Sequence, residues 1–404
     1  MNAPKIRING YGREWNSLPL GDVFDLRNGY TPSKAVKSFW EGGTIPWFRM
    51  EDIRANGGIL SDSIQHITPS AIKGNGLFSP FSIILATTAT IGVHAMLIAD
   101  SLANQQFTNL KICKSLINSY DPYFVYYAFF KVDDWCIKNT NSGGLLAVDI
   151  KSLCKYDFSA PSLQEQRSIA TYFRHIDKLI ETAEKKLISL KQVKEASLQS
   201  MFPKEECTVP QVRFKGFEDE WKKFSFKDIT YASGIKNRDN LPLESYSISN
   251  EFGFIPQSYQ FENGGTMTSA DKRMYYIVSP NSFAYNPARI NIGSIGYYTG
   301  NKDVIVSSLY EVFKTDNNVC DKFLDYWFKS DSFKQLIKKY QEGGVRLYFF
   351  YDKLCMCDVL LPSIAEQRKI ASFFVNLDKT IDNQRQRLEL LKRIKATCLS
   401  EMFV

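Results

Sequence analysis

Residues 161–202 read PSLQEQRSIATYFRHIDKLIETAEKKLISLKQVKEASLQSMF, and residues 362–403 read PSIAEQRKIASFFVNLDKTIDNQRQRLELLKRIKATCLSEMF. The two align without a gap and share 18 of 42 positions. An internal repeat constrains a fold more than any local signal, because each copy must form the same kind of element. The shared positions include Glu165/Glu366, Gln166/Gln367, Arg167/Arg368, Asp177/Asp378 and the closing Met-Phe pairs. A shorter match lies upstream, PKIRINGYGREW at 4–15 against PQVRFKGFEDEW at 210–221. Between these anchors the halves diverge, with weak echoes at Ser79-Pro80/Ser279-Pro280, Gly143-Gly144/Gly343-Gly344 and Leu153-Cys154/Leu354-Cys355. The 404 residues therefore divide into a variable domain at 1–161, a shared helix at 162–202, a second variable domain at 203–362 and a second shared helix at 363–404.

The shared segments are predicted to be helical. Ser162 with Glu165, and Ser363 with Glu366, have the spacing of a capping box. No Pro or Gly interrupts either run before Pro203. Apolar residues recur in steps of four and three at Ile169, Phe173, Ile176, Ile180, Ala183, Leu187 and Leu190, and again at Ile370, Phe374, Leu377, Ile381, Leu388 and Leu391, with Gln384 at the step between Ile381 and Leu388. Such a period makes a coiled-coil seam. A 38-residue helix would be about 57 Å long. Two matching seams in one chain predict that the helices pack on each other, antiparallel.

The variable segments read as mixed α and β. Runs such as Ser82–Leu85 and Val304–Val306 are strand-like, while Asn75-Gly76 and Asn56-Gly57-Gly58 are turn-like. Aromatic runs at 123–130 and 323–328 occupy corresponding places. A core helix is the simpler reading of each, and a base-stacking platform the alternative. The resulting fold class is α+β: two globular mixed domains separated by two long antiparallel coiled-coil helices, with an internal pseudo-twofold repeat.

Composition narrows the chemistry. The net charge is +7, but residues 1–161 carry 15 basic and 13 acidic side chains, and residues 203–362 carry 20 of each. Any polyanion must be met by local clusters, not by a global positive field. The eight cysteines are scattered, and Cys355-x-Cys357 lacks a second ligand pair. With only His66, His94 and His175 besides, no metal site is expected. Asp121-Pro122-Tyr123-Phe124 and Asn286-Pro287-Ala288-Arg289 both lack the second proline of an adenine-methyltransferase loop. No phosphate-binding loop of the G-x-x-x-x-G-K-[ST] type occurs. Glu220-Trp221-Lys222 resembles the tail of a nuclease motif but has no Pro-Asp before it. The chain reads as a binding protein with no catalytic residue. It has no apolar run long enough for a membrane span and no signal-like N-terminus, so a cytoplasmic location is expected.

The paired P-S-x-x-E-Q-R openings before long helices, and Val-Pro-x-Val-Arg-Phe-x-Gly-Phe ending at Trp221, resemble the specificity subunit of type I restriction–modification enzymes. Ile45-Pro46-Trp47-Phe48-Arg49, Thr90-Ile91-Gly92 and Asn104-Gln105-Gln106 are similar to recurring strings of that family's recognition domains. The resemblance covers essentially the whole chain. It implies two target recognition domains, each reading half of a bipartite site in double-stranded DNA. It also implies two methyltransferase subunits with S-adenosylmethionine, and two motor-nuclease subunits using ATP and magnesium. No cofactor is expected on this chain. In the second domain Ser307-Ser308-Leu309 stands near where the first has Asn104-Gln105-Gln106, a departure from the family's string that is expected if each domain reads a different half-site.

Arg pairs with guanine, and Asn or Gln with adenine, in the major groove. Candidate base contacts are Arg49, Asn104, Gln105 and Gln106 in the first half, and Arg238, Arg273, Arg289, Asn291 and Arg346 in the second. Lys34, Lys37, Lys236, Lys272, Lys338 and Lys339 are candidate phosphate contacts. Capping of local turns is the alternative reading of the Asn and Gln candidates. The competing functional readings are a recognition subunit of another defence or methylation system lacking the standard nuclease, and a coiled-coil scaffold that binds no DNA.

Overall fold

The computed structural model describes residues 3–74, 76–141, 146–204, 207–250, 252–260, 271–340 and 348–404. Two compact units form. One joins residues 1–184 to 386–404, and the other is continuous from 185 to 385. Each unit thus takes one globular domain and a segment of both long helices. The sequence division at 161/162 and 362/363 separates domain from helix; compactness groups them differently.

In the first unit, five strands lie in the order Phe24–Asn28, Phe107–Ile112, Ile83–Ala86, His94–Leu97, Ile59–Leu60. The first four pair antiparallel and the last is parallel. In the second unit, four strands repeat that antiparallel order as Thr230–Ala232, Glu311–Thr315, Ser282–Tyr285, Ile295–Tyr298. The ends of each domain are tied by a strand pair, Asn16–Pro19 with Asp157–Ala160 and Lys222–Ser225 with Asp358–Leu361. The expected strands around 83 and 304 are present. Gly57 ends a helix at φ +79°, as its turn reading requires. Asn75 lies outside the described residues, as do both Gly-Gly echoes.

The aromatic runs are core helices. Pro122–Lys138 starts with proline in its first turn, and the Asp121 carboxylate accepts from the Tyr123 and Phe124 amides at 3.0 Å each. Phe124, Tyr127 and Phe129 are fully buried, as are Phe323 and Leu324 in the shorter helix Asp321–Trp327. Each buried ring is worth roughly 1.5–3 kcal/mol. Trp15 packs on Phe124 and Phe403, and Trp221 on Phe323 and Phe202. This is why both short repeats end in tryptophan.

The long helices run Leu163–Ser200 and Ile364–Glu401, 38 residues each. Ser162 and Ser363 Oγ accept from the Glu165 and Glu366 amides at 3.4 Å. The glutamates do not complete a reciprocal capping box. Their carboxylates are taken by Arg7 and Arg213, each through two hydrogen bonds of 2.7–2.8 Å. Gln166 accepts from the Asp121 amide and donates to the Ser119 and Pro161 carbonyls; Gln367 does the same for Cys320, Asn318 and Pro362.

Within each unit the two helix segments run antiparallel. In the first, Tyr172 meets Cys398, Asp177 meets Lys395 and Glu184 meets Lys392. In the second, Lys194 meets Asp378 and Phe202 stacks on Phe374. Ile169, Phe173, Ile176, Ile370, Phe374, Leu377, Ile381 and Leu388 are buried, and Ile180, Leu187, Leu190 and Leu391 are half-buried. Ile169, Phe173, Ile370 and Phe374 also belong to the cores of the globular domains. One further backbone contact closes each unit. The Ile6 amide donates to the Glu401 carbonyl at 3.0 Å, and the Val212 amide to Ser200 at 2.9 Å.

Candidate nucleic-acid interface

Three chain segments converge in the first unit. The strand Ile45–Phe48 runs parallel to Leu102–Ala103, and beyond it the Asn104 amide donates to the Phe48 carbonyl at 3.0 Å. The Gly29 amide donates to Phe107 at 2.8 Å and the Tyr30 amide to Ala103 at 2.9 Å. Trp47 Nε1 donates to the Tyr30 carbonyl at 3.0 Å. These bonds set Arg49, Asn104, Gln105 and Gln106 on adjoining loops with Thr31. Gly29 permits the approach: a Cβ there would stand 2.2 Å from the Asn104 carbonyl oxygen. Neither Gly29 nor Thr31 is singled out by the sequence reasoning, because a close backbone approach leaves no periodic signal.

The four candidates are not equally available. Asn104 Oδ1 accepts from the Gln106 amide at 3.0 Å, and its Nδ2 donates to Gln106 Oε1 at 3.3 Å. These two side chains shape the turn, as the capping alternative held. Gln105 is exposed and its Oε1 accepts from the Thr31 hydroxyl, which leaves the amide nitrogen open. The Arg49 guanidinium lies 5.9 Å from the Trp47 ring centroid and 3.7 Å from Glu51. Its backbone is fixed by Asp52, whose Oδ2 accepts from the Arg49 amide and Oδ1 from the Ile64 amide, both at 2.7 Å. Asp52 is fully buried, so it organises the loop and does not meet a ligand. Lys34 and Lys37 are exposed on the segment that follows Thr31, held where Trp40 Nε1 donates to the Ser33 carbonyl.

In the second unit the candidates fall into two groups. Lys236, Arg238, Lys272 and Arg273 flank the antiparallel pair Ile235–Lys236 and Tyr276–Val278. Lys236 is pinned, with Nζ 3.7 Å from the Tyr276 centroid and donating to the Met274 carbonyl. Arg273 pairs with Asp271 at 3.3 Å, both well exposed, a contact weak enough to exchange for a phosphate. Buried Asn237, another residue the sequence did not signal, builds the adjoining turn by bonding both backbone groups of Leu241. Exposed Arg289 and Asn291 sit on the turn around Ile290, whose side chain shares a core with Ile337 of the helix bearing Lys338 and Lys339. Lys339 lines a cleft of about 440 Å³ with Lys204 and Lys223. Arg346 lies outside the described residues.

Among the described residues no cluster of His, Cys, Asp and Glu could hold a metal ion, and no helix is long and apolar enough to cross a membrane.

The type I restriction modification DNA specificity domain matches twice, at residues 12–192 and 218–393. The specificity subunit of the type I restriction enzyme EcoprrI from Escherichia coli is 47% identical over 154 residues, 38% of this chain and 38% of that subunit's own length. The MjaVIII specificity subunit of Methanocaldococcus jannaschii is 20% identical over 405 aligned positions, covering 95% of this chain and 90% of the relative. The crystal structure of a type I restriction–modification S subunit from M. genitalium matches the fold over 100% of this chain and 99% of that one, at 14% identity and TM-score 0.57. A chain from a structural study of assembly and conformational transition in the type I system matches with TM-score 0.58 at 12% identity, covering 96% and 97%. With the family's domain occurring twice on the two halves of an internally repeated fold, the chain belongs to the type I restriction modification DNA specificity family.

Proposed function

We propose that the chain is the non-catalytic DNA-recognition subunit of a type I restriction–modification system, in which each globular domain reads one half of a bipartite target. The observation that carries this is the pairing of sameness with difference. The two domains share strand order and anchoring contacts, yet their candidate loops carry Thr31, Arg49 and Gln105 in one and Arg238, Arg273, Arg289 and Asn291 in the other. A common scaffold with unlike polar loops suits the reading of two unlike half-sites. Residues 1–161 and 203–362 act as recognition domains, and the helices at 162–202 and 363–404 hold them through the seam named above.

The chemistry resides on partners: two methyltransferase subunits that bring S-adenosylmethionine, and two motor-nuclease subunits that bring ATP and magnesium. Because each domain is nearly neutral, the isolated chain binds DNA weakly and the partners add contacts. The setting is the cytoplasm, where the eight thiols stay reduced. Methylome sequencing of a host expressing this chain with its methyltransferase subunit tests the proposal. A single bipartite adenine-methylated motif is expected. Methylation of a continuous motif, or none above background with an active partner, would overturn it. Methylation without any cleavage activity in the complete operon would instead favour a system lacking the nuclease.

A further inference from the structure

Two three-residue relays stand at equivalent places in the repeat. The Tyr127 hydroxyl donates to Asp177 Oδ2 at 2.7 Å, and Lys395 Nζ lies 2.6 Å from Asp177 Oδ1. The Tyr326 hydroxyl donates to Asp378 Oδ2 at 2.8 Å, and Lys194 Nζ lies 2.6 Å from Asp378 Oδ1. Each relay takes its tyrosine from the core helix of a globular domain, its aspartate from the long helix that follows that domain, and its lysine from the other long helix. Each carboxylate takes one donor on each oxygen, one of them charged. Each lysine also faces its tyrosine ring, at 5.9 and 6.0 Å. The same number of residues separates Asp177 from Lys194 on one helix as separates Asp378 from Lys395 on the other.

The duplication supplies its own control. Another ion pair on the same helices, Glu184–Lys392, has no counterpart, because the equivalent positions hold Arg385 and Lys191. The core helices have also diverged around their tyrosines, Tyr126-Tyr127-Ala128 against Asp325-Tyr326-Trp327. The relays survive where this neighbouring ion pair does not. They are side-on restraints: they cross from domain to helix pair at the helix surface, with lysine side chains 23% and 28% exposed. Apolar packing is non-directional, whereas a half-buried carboxylate held by a donor on each oxygen is directional.

Resting on the proposed function, we infer that Tyr127–Asp177–Lys395 and Tyr326–Asp378–Lys194 are positioning relays: each fixes the setting of a recognition domain on its helix pair, so that the assembled complex accepts one spacing between half-sites. The test uses the full chain in complex with its methyltransferase subunit. The substrate is a DNA library carrying the two half-sites at the native spacing and at one and two base pairs more or less. The wild-type complex should methylate one spacing. Asp177→Asn with Asp378→Asn keeps an acceptor for each tyrosine but loses the charge. This variant should lose about tenfold or more of the discrimination between neighbouring spacings, with both half-site sequences unchanged. Lys194→Met with Lys395→Met keeps both aspartates, serves if the first variant does not fold, and should behave alike. Unaltered spacing discrimination in a folded variant, whether or not its melting temperature falls, overturns the inference. A wild-type complex with no bipartite preference would refute the proposed function instead.

Discussion

Arg7 holds both carboxylate oxygens of Glu165 at 2.8 Å across 158 positions of sequence, and also donates to the Arg13 carbonyl. The glutamate is 2% exposed and is paired with that guanidinium. The carboxylate in turn raises the arginine above its ordinary pKa. Removing the arginine leaves a buried unpaired carboxylate. Arg7→Met should therefore destabilise its unit by about 3–5 kcal/mol. Adding Glu165→Gln should recover part of the loss. Urea denaturation of the single and double variants checks this, and equal stability of both would contradict it.

Gly29→Ala places a methyl group against the carbonyls of Ala103 and Asn104, at 2.4 and 2.2 Å. The loops bearing Arg49 and Gln105 must then separate. We predict loss of recognition at one half-site, with the other retained and the fold weakened by about 1–3 kcal/mol. Competition binding with each half-site altered in turn reads the outcome.

Phosphate and base contacts should part in salt. Lys34→Gln and Lys37→Gln should each flatten the dependence of log K on log salt by about 0.9, without changing the preferred sequence. Gln105→Ala should leave the salt slope alone and relax one base position by about 1–3 kcal/mol. Titrations at several salt concentrations against matched and mismatched duplexes distinguish the two classes.

Burial, and then the hydrogen bond to Asp177 or Asp378, raises Tyr127 and Tyr326 well above the ordinary phenol value of 10.0. The folded state therefore keeps protons that the unfolded chain releases. This contribution is whole below pH 10 and is lost as pH rises beyond it. Each group adds a slope of about 1.4 kcal/mol per pH unit in that range. Tyr127→Phe with Tyr326→Phe should make stability fall less steeply between pH 10 and 11. Buried Tyr126 and Tyr285 keep some slope in both proteins.

The long helices were legible because a three-four apolar step survives without knowledge of any partner, and because two copies vouch for each other. The core helices were legible from Asp121-Pro122 and the density of rings that follows. Reach was not legible. Glu165 has the spacing of a cap, yet a distant arginine claims it. Asn104 and Gln106 have the chemistry of adenine readers, yet they bind each other, and only Gln105 keeps an open amide. The sequence marked Asp177, Lys194, Asp378 and Lys395 as repeated without saying why, since their partners lie on other elements. Strand order was hidden for the same reason: pairing is non-local, and short strands carry little register information of their own.

The amide bond from Ile6 to Glu401 has a consequence in time. The segment ending at Trp15 rests on the last turn of the second long helix, whereas the segment ending at Trp221 rests on the last turn of the first. During synthesis, residues 185–385 emerge as one uninterrupted stretch and have all their own contacts available. Residues 1–184 emerge earlier but must wait for 386–404, with Trp15, Phe124 and Phe173 lacking Phe403 until then. Vectorial synthesis ordinarily lets the N-terminal domain fold first. Here the half that leaves the ribosome first is the half that finishes last.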